Sequence, residues 1–141
     1  MKQSIIAAMM SAIGICSGCK AQKTVKVLSP DDFIAAFKAD TSAVLLDVRQ
    51  PAEFDEGHIK GAVNLDWLNK EKFEKGLDKM DKARTYYIYC RSGRRSNAAA
   101  MKMRSEGFNV FDMKGGILEW KSLGFPVATD DGDPGKAIPA N

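Results

Sequence analysis

Arg84-Thr85-Tyr86-Tyr87-Ile88-Tyr89-Cys90-Arg91-Ser92-Gly93-Arg94-Arg95-Ser96 dictates what kind of domain this chain can form. Residues 84–89 read as a strand, dense in the aromatic and β-branched side chains that suit a pleated surface. Cys90 ends it. Gly93 gives the following loop a residue that tolerates positive φ and close approach of backbone to a ligand. A helix is predicted over Ser96 to Glu106, with Ala99, Ala100 and Met103 facing the sheet and Gly107 stopping it. A strand that turns through a tight loop into a helix aims several backbone N–H groups at one point, which is an anion cradle. Arg91, Arg94 and Arg95 add formal charge, screened where they face water. A thiol in that setting is predicted to be a thiolate, hence a nucleophile.

The same alternation of strand and helix extends to both sides. Val25 to Leu28 is a weak strand, and Ser29-Pro30-Asp31-Asp32 opens a helix with a capping Ser, a first-turn Pro and acids at the positive end. Phe33, Ile34 and Phe37 form its apolar face. Ala43-Val44-Leu45-Leu46-Asp47-Val48 is the continuous apolar run of a strand covered on both faces. Pro51 starts a helical turn, and Gly57 and Gly61 bracket a turn that leads into the short strand Ala62 to Leu65. Lys70 to Met80 reads as an amphipathic helix with Phe73, Leu77 and Met80 inward. Asn109 to Met113 is a strand, and Gly115-Gly116 begins a last helical segment ended by Gly124 and Pro126. The prediction is an α/β domain with a mostly parallel sheet of about five strands and helices on both faces. In such sheets ligands bind beyond the carboxyl ends of the strands, where Cys90 falls.

The chain has 141 residues, enough for one domain. Its net charge of +3, spread among acids, gives no argument for a nucleic-acid partner. The N-terminus differs in kind. Met1-Lys2 is basic, Ile5 to Ile15 is apolar but too short to span a bilayer, and Ser17-Gly18-Cys19 follows. The expectation is a signal peptide over 1–18, a lipid-anchored tether over 19–24 with Cys19 lipidated, the domain over 25–127, and a flexible acidic tail over 128–141. Ser17-Gly18-Cys19 resembles the end of a bacterial lipobox, with Cys16 standing where Leu is usual. This implies a lipoprotein of the cell envelope that faces the periplasm, held at the membrane by its lipid. Cys16 would leave with the signal and Cys19 would carry lipid. Cys90 would then be the one free thiol of the mature chain, with no internal disulfide available. With His58 as its one histidine, the chain excludes a metal site built on several histidines.

Five motifs in order carry a resemblance. They are Leu45-Leu46-Asp47-Val48-Arg49, Pro51-Ala52-Glu53-Phe54, Gly57-His58-Ile59-Lys60-Gly61-Ala62, the loop Cys90 to Ser96, and Gly115-Gly116-Ile117-Leu118-Glu119-Trp120. On these the chain resembles a single-domain rhodanese, a sulfurtransferase, over residues 25–127. The resemblance implies covalent catalysis with no cofactor and no metal. Cys90 takes the outer sulfur of thiosulfate, sulfite leaves, and cyanide or a thiol then removes the sulfur from a Cys90 persulfide. It further implies that backbone N–H groups of Arg91, Ser92, Gly93, Arg94, Arg95 and Ser96 cradle the anion. Arg94 and Arg95 would draw in the donor, and Asp47 and Arg49 would support the loop. A sulfur carrier or binding module of the same fold is the alternative. Phosphatases related to this fold place Arg six positions after their Cys; here Ser96 holds that position and Arg95 comes one place early. The shorter loop suits a sulfur atom better than a phosphate ester. His58, Trp120 and Phe125 read as structural.

Overall fold

The computed structural model describes residues 25–129, so the signal, the tether, Cys16 and Cys19 lie outside the described residues, as does all of the predicted tail beyond residue 129. Five strands form one sheet: β1 (Lys26–Leu28), β2 (Val44–Asp47), β3 (Val63–Asn64), β4 (Thr85–Tyr89) and β5 (Asn109–Met113). Their order is β1-β5-β4-β2-β3, and every pairing is parallel. Five helices connect and flank them: α1 (Pro30–Ala39), α2 (Pro51–Glu56), α3 (Lys70–Asp78), α4 (Arg94–Ser105) and α5 (Gly116–Ser122).

The apolar runs of β2 and β4 are long because both faces of the sheet are covered. Val44, Leu46, Tyr86, Ile88 and Cys90 point to one side, packed with Phe73 and Leu77 of α3 and Ala99, Ala100 and Met103 of α4. Leu45, Tyr87 and Tyr89 point to the other, packed with Phe33 and Phe37 of α1 and Ile117 and Trp120 of α5. The period of two along each strand decides which side chain goes where. It also sends the Cys90 side chain to the α3–α4 side.

Local signals place the helix starts. Ser29 caps α1 by accepting the Asp32 N–H at 3.3 Å, and Asn69 caps α3 by accepting the Lys72 N–H at 3.2 Å. One boundary departs from expectation. The helix predicted from Ser96 begins at Arg94, because Gly93 at φ 103° serves as its cap. Arg94, Arg95 and Ser96 therefore form the first turn of α4, and the loop proper is Arg91-Ser92-Gly93. At the other end, Ala128 pairs with His58 in an antiparallel bridge (N–H to O distances 2.8 and 2.7 Å), so the fold reaches past the expected boundary at 127.

Candidate active site

Cys90 leaves the carboxyl end of β4, the central strand, with only 1% of its surface exposed. The Gly93 N–H donates to its Sγ at 3.1 Å. That bond exists because Gly93, in the left-handed region, turns the chain back on itself within three residues.

The loop is held from behind by α5. The Ile117 N–H donates to the Cys90 carbonyl at 2.9 Å and the Leu118 N–H to the Arg91 carbonyl at 3.1 Å. With both carbonyls drawn to α5, the loop is free to present amides to the sulfur. This contact requires Gly116. Its φ is +63°, and a methyl group there would fall on the carbonyl carbon and oxygen of Arg91 and within 2.7 Å of the Cys90 carbonyl. Backbone atoms do not swing aside as a flexible side chain would. Gly116→Ala is expected to destabilise the domain by about 2 kcal/mol or more and to loosen the loop. Thermal melting and the rate of Cys90 alkylation would check both parts.

The three loop arginines have different settings. Arg95 makes a two-pronged ion pair with Glu53, at 2.8 and 3.0 Å, which ties the first turn of α4 to α2. Arg91 and Arg94 are exposed and have no acid partner among the described residues. Ser92 is exposed, whereas Ser96 is buried and its hydroxyl donates to the Gly93 carbonyl at 3.3 Å.

Glu53 was legible as part of a motif, but its partner, 42 residues away, was not. The hydrogen bonds from Arg95, opposed by burial and aided by the Gln50 amide, pull its carboxyl down to about 2. A depressed folded-state value means that Glu53 contributes stability above its ordinary 4.5, and that this contribution is lost as pH falls toward about 2. The melting-temperature gap between wild type and Glu53→Gln is therefore expected to be widest above about pH 5 and to close on acidification. A gap that does not vary with pH would contradict the pairing.

Asp47 and Arg49 lie beneath the loop rather than against the sulfur. The Arg49 guanidinium donates to both Asp47 oxygens at 2.7–3.1 Å and to the Gly57 carbonyl at 2.7 Å. The Arg49 amide adds a bond to Asp47 at 2.9 Å. Tyr89, the residue before Cys90, closes this group. Its hydroxyl accepts the Ile59 N–H at 3.0 Å, and burial, reinforced by the nearby Asp47 carboxylate, raises its pKa well above the usual tyrosine value. The Tyr89 carbonyl accepts the Val48 N–H at 3.0 Å, which carries the brace to the base of the loop. His58 is buried, with Nδ1 2.9 Å from the Phe54 carbonyl and its ring stacked on Phe54, as a structural turn histidine requires. Two further groups of consequence were not assigned from sequence. Gly116 belongs to a motif that gives no hint of the backbone beneath it, and Asp112 is a buried carboxyl on β5.

Comparison with known proteins agrees with this geometry. Residues 29–123 match the model of the rhodanese-like domain family. A sulfurtransferase of Allochromatium vinosum is 36% identical over 96 residues, which is 67% of this chain and 87% of that protein. The thiosulfate:glutathione sulfurtransferase of Saccharomyces cerevisiae is 34% identical over 98 residues, 62% of this chain and 70% of that one. Among solved structures, a rhodanese-related protein from Thermoplasma volcanium superposes with a TM-score of 0.66 at 27% identity, covering 74% of this chain and 99% of that one.

Proposed function

The chain belongs to the rhodanese-like domain family, and from that premise we propose that it is a thiosulfate sulfurtransferase working through a persulfide on Cys90. The observation that carries this reading is the Gly93 amide on the Cys90 sulfur at 3.1 Å, in a loop whose carbonyls are tied back to α5. An N–H aimed at sulfur stabilises negative charge there, and both the attacking thiolate and the resulting persulfide carry that charge. The names of two relatives, a sulfurtransferase and a thiosulfate:glutathione sulfurtransferase, support the reaction class.

In the first half-reaction the Cys90 thiolate attacks the outer sulfur of thiosulfate. The S–S bond of thiosulfate breaks, sulfite leaves with its electron pair, and Cys90 keeps the sulfur as a persulfide anion. In the second, cyanide or a thiol attacks the terminal sulfur. The electron pair of the Cys90 S–S bond returns to Cys90 as thiolate. No proton has to be moved by a side chain, so a loop without histidine suffices. Arg91 and Arg94, exposed and without acid partners among the described residues, are the cations that attract the dianionic donor. Arg95, committed to Glu53, fastens the cradle instead.

The test is intact mass. Thiosulfate alone should add one sulfur atom to the protein, and cyanide should remove it with release of one equivalent of thiocyanate. Sulfane sulfur taken up from polysulfide, with a shorter polysulfide leaving and no thiocyanate formed, would make the protein a carrier. Phosphate released from an aryl ester in a Cys90-dependent way would make it a phosphatase. We also propose that Cys19 carries lipid and holds the domain at the envelope membrane. Residues 1–24 support this by sequence alone, and the mass of the membrane-extracted chain tests it.

A further inference from the structure

Asp112 is a buried carboxyl for which the proposed cycle has no use. It is 2% exposed. Its Oδ1 accepts no hydrogen bond among the described residues, and the Asn97 amide reaches its Oδ2 only at a long 3.5 Å. A buried carboxylate this poorly satisfied favours its protonated form. Burial raises its pKa from 3.8 to about 6, against smaller opposing effects of the Ser96 hydroxyl, the Asn97 amide and the Met113 N–H.

Its position makes this relevant to the sulfur. Val110 lies on the α3–α4 side of the sheet, and the alternation of β5 puts Asp112 on that side too. Ile88 of β4 stands opposite Asp112 in the register, and Cys90 is two residues further along, on the same face. Strand spacing and rise put the two α carbons on the order of 8 Å apart. The groups facing Asp112 are few. From α4 they are Ser96 and Asn97, both uncharged; opposite it on β1 stands Val27, and on β4 Ile88. On β4 the titratable groups of that face are Tyr86 and Cys90, two residues to either side of Ile88; burial holds the Tyr86 phenol above its ordinary pKa, so it stays neutral over the range considered. Arg95, in the same turn of α4 as Ser96, is engaged by Glu53. The Ser96 hydroxyl bonds the Gly93 carbonyl, and Gly93 supplies the amide on the sulfur.

We propose that Asp112 is a positioning residue for the sulfur loop, acting through Ser96, and that its uncharged form is the one that supports an anion on Cys90. The proposal rests on Cys90 holding negative charge during sulfur transfer. As a neutral acid, Asp112 donates to Ser96, which keeps its own proton on the Gly93 carbonyl. As a carboxylate, it draws the Ser96 proton away from Gly93 and places a second negative charge on the face that carries the sulfur. The linkage is reciprocal, so an anion on the sulfur draws a proton from solvent onto Asp112.

The experiment compares Asp112→Asn, which keeps the shape and cannot ionise, with wild type by the rate of Cys90 alkylation by iodoacetamide from about pH 4 to 8. The ratio of variant to wild-type rate is expected to be close to one below about pH 5 and to rise through about pH 6 to a plateau of roughly three- to tenfold. Ser96→Ala, which breaks the relay, should shift the midpoint of that rise when made in both backgrounds. Thermal melting is run alongside. A raised folded-state value means that the protonated carboxyl contributes stability below about 4, lost as pH rises through about 6, so Asp112→Asn should gain relative melting temperature over that window. A melting shift with a flat alkylation ratio would leave Asp112 a purely structural burden and overturn the proposal. So would a variant slower than wild type at every pH. Alkylation does not require thiosulfate to be the donor. Failure of thiosulfate to load Cys90 would therefore sink the proposed activity without touching this result.

Discussion

Cys90→Ser is expected to fold normally and to take up no sulfur from thiosulfate. The serine hydroxyl fits the space of the thiol and can accept the Gly93 N–H, so stability should change by no more than about 1–2 kcal/mol. The chemistry, by contrast, has no substitute. A hydroxyl is not ionised at neutral pH, and oxygen forms no stable counterpart of the persulfide. Thiocyanate formation should fall by about three orders of magnitude or more, to the rate of the reagents alone. A circular-dichroism spectrum identical to wild type would show that the loss is chemical. Residual turnover within tenfold of wild type would mean that sulfur passes through some other group.

The sequence made the elements visible wherever a local signal was strong. The apolar run from Ala43 to Val48 had to be covered on both faces, and it is. Ser29 stands at a real helix start because a side-chain oxygen there satisfies an amide that nothing else would. Cys90 at the end of a strand followed from the composition of residues 84–89. Features set by distant contacts were hidden. Nothing local to Arg95 shows that Glu53 claims it, and nothing local to Gly116 shows that the Arg91 carbonyl lies against it. Helix α4 starts two residues before the position that local sequence suggests, because Gly93, a loop glycine by sequence, caps the helix in its left-handed conformation. The alternation of β5 shows that Asp112 shares a face with Val110. Its burial arises only when α4 packs over that face.

These hidden contacts share a purpose. Each holds one part of the loop from a different direction: α5 holds the Cys90 and Arg91 carbonyls, α2 holds Arg95, and Val48, just past the end of β2, holds the Tyr89 carbonyl. Three anchors from three directions keep a three-residue turn in a geometry that its own sequence does not impose. The turn is then ordered before any donor arrives, and little reorganisation remains when charge develops on the sulfur.

The strongest of the supports is the Asp47–Arg49 pair, and its removal should have the largest effect on stability. Arg49 is 4% exposed and Asp47 is fully buried. Arg49→Ala strips Asp47 of its guanidinium and the Gly57 carbonyl of its donor, leaving a charge that water cannot reach. Breaking one side of a buried pair in this way destabilises by about 3–5 kcal/mol. For a domain of this size that is a fall in melting temperature of about 10–20 °C. Arg49→Lys should lie between, because an ammonium supplies a point charge but not the fork that meets Asp47 and Gly57 together. Joining Asp47→Asn to Arg49→Ala should recover a measurable part of the loss, since the orphaned charge, more than the missing attraction, is what destabilises. Urea titrations of the three variants decide the matter. If the double variant were no more stable than Arg49→Ala, the penalty would lie in the lost bond to Gly57 and the loosened turn after α2, not in the stranded carboxylate.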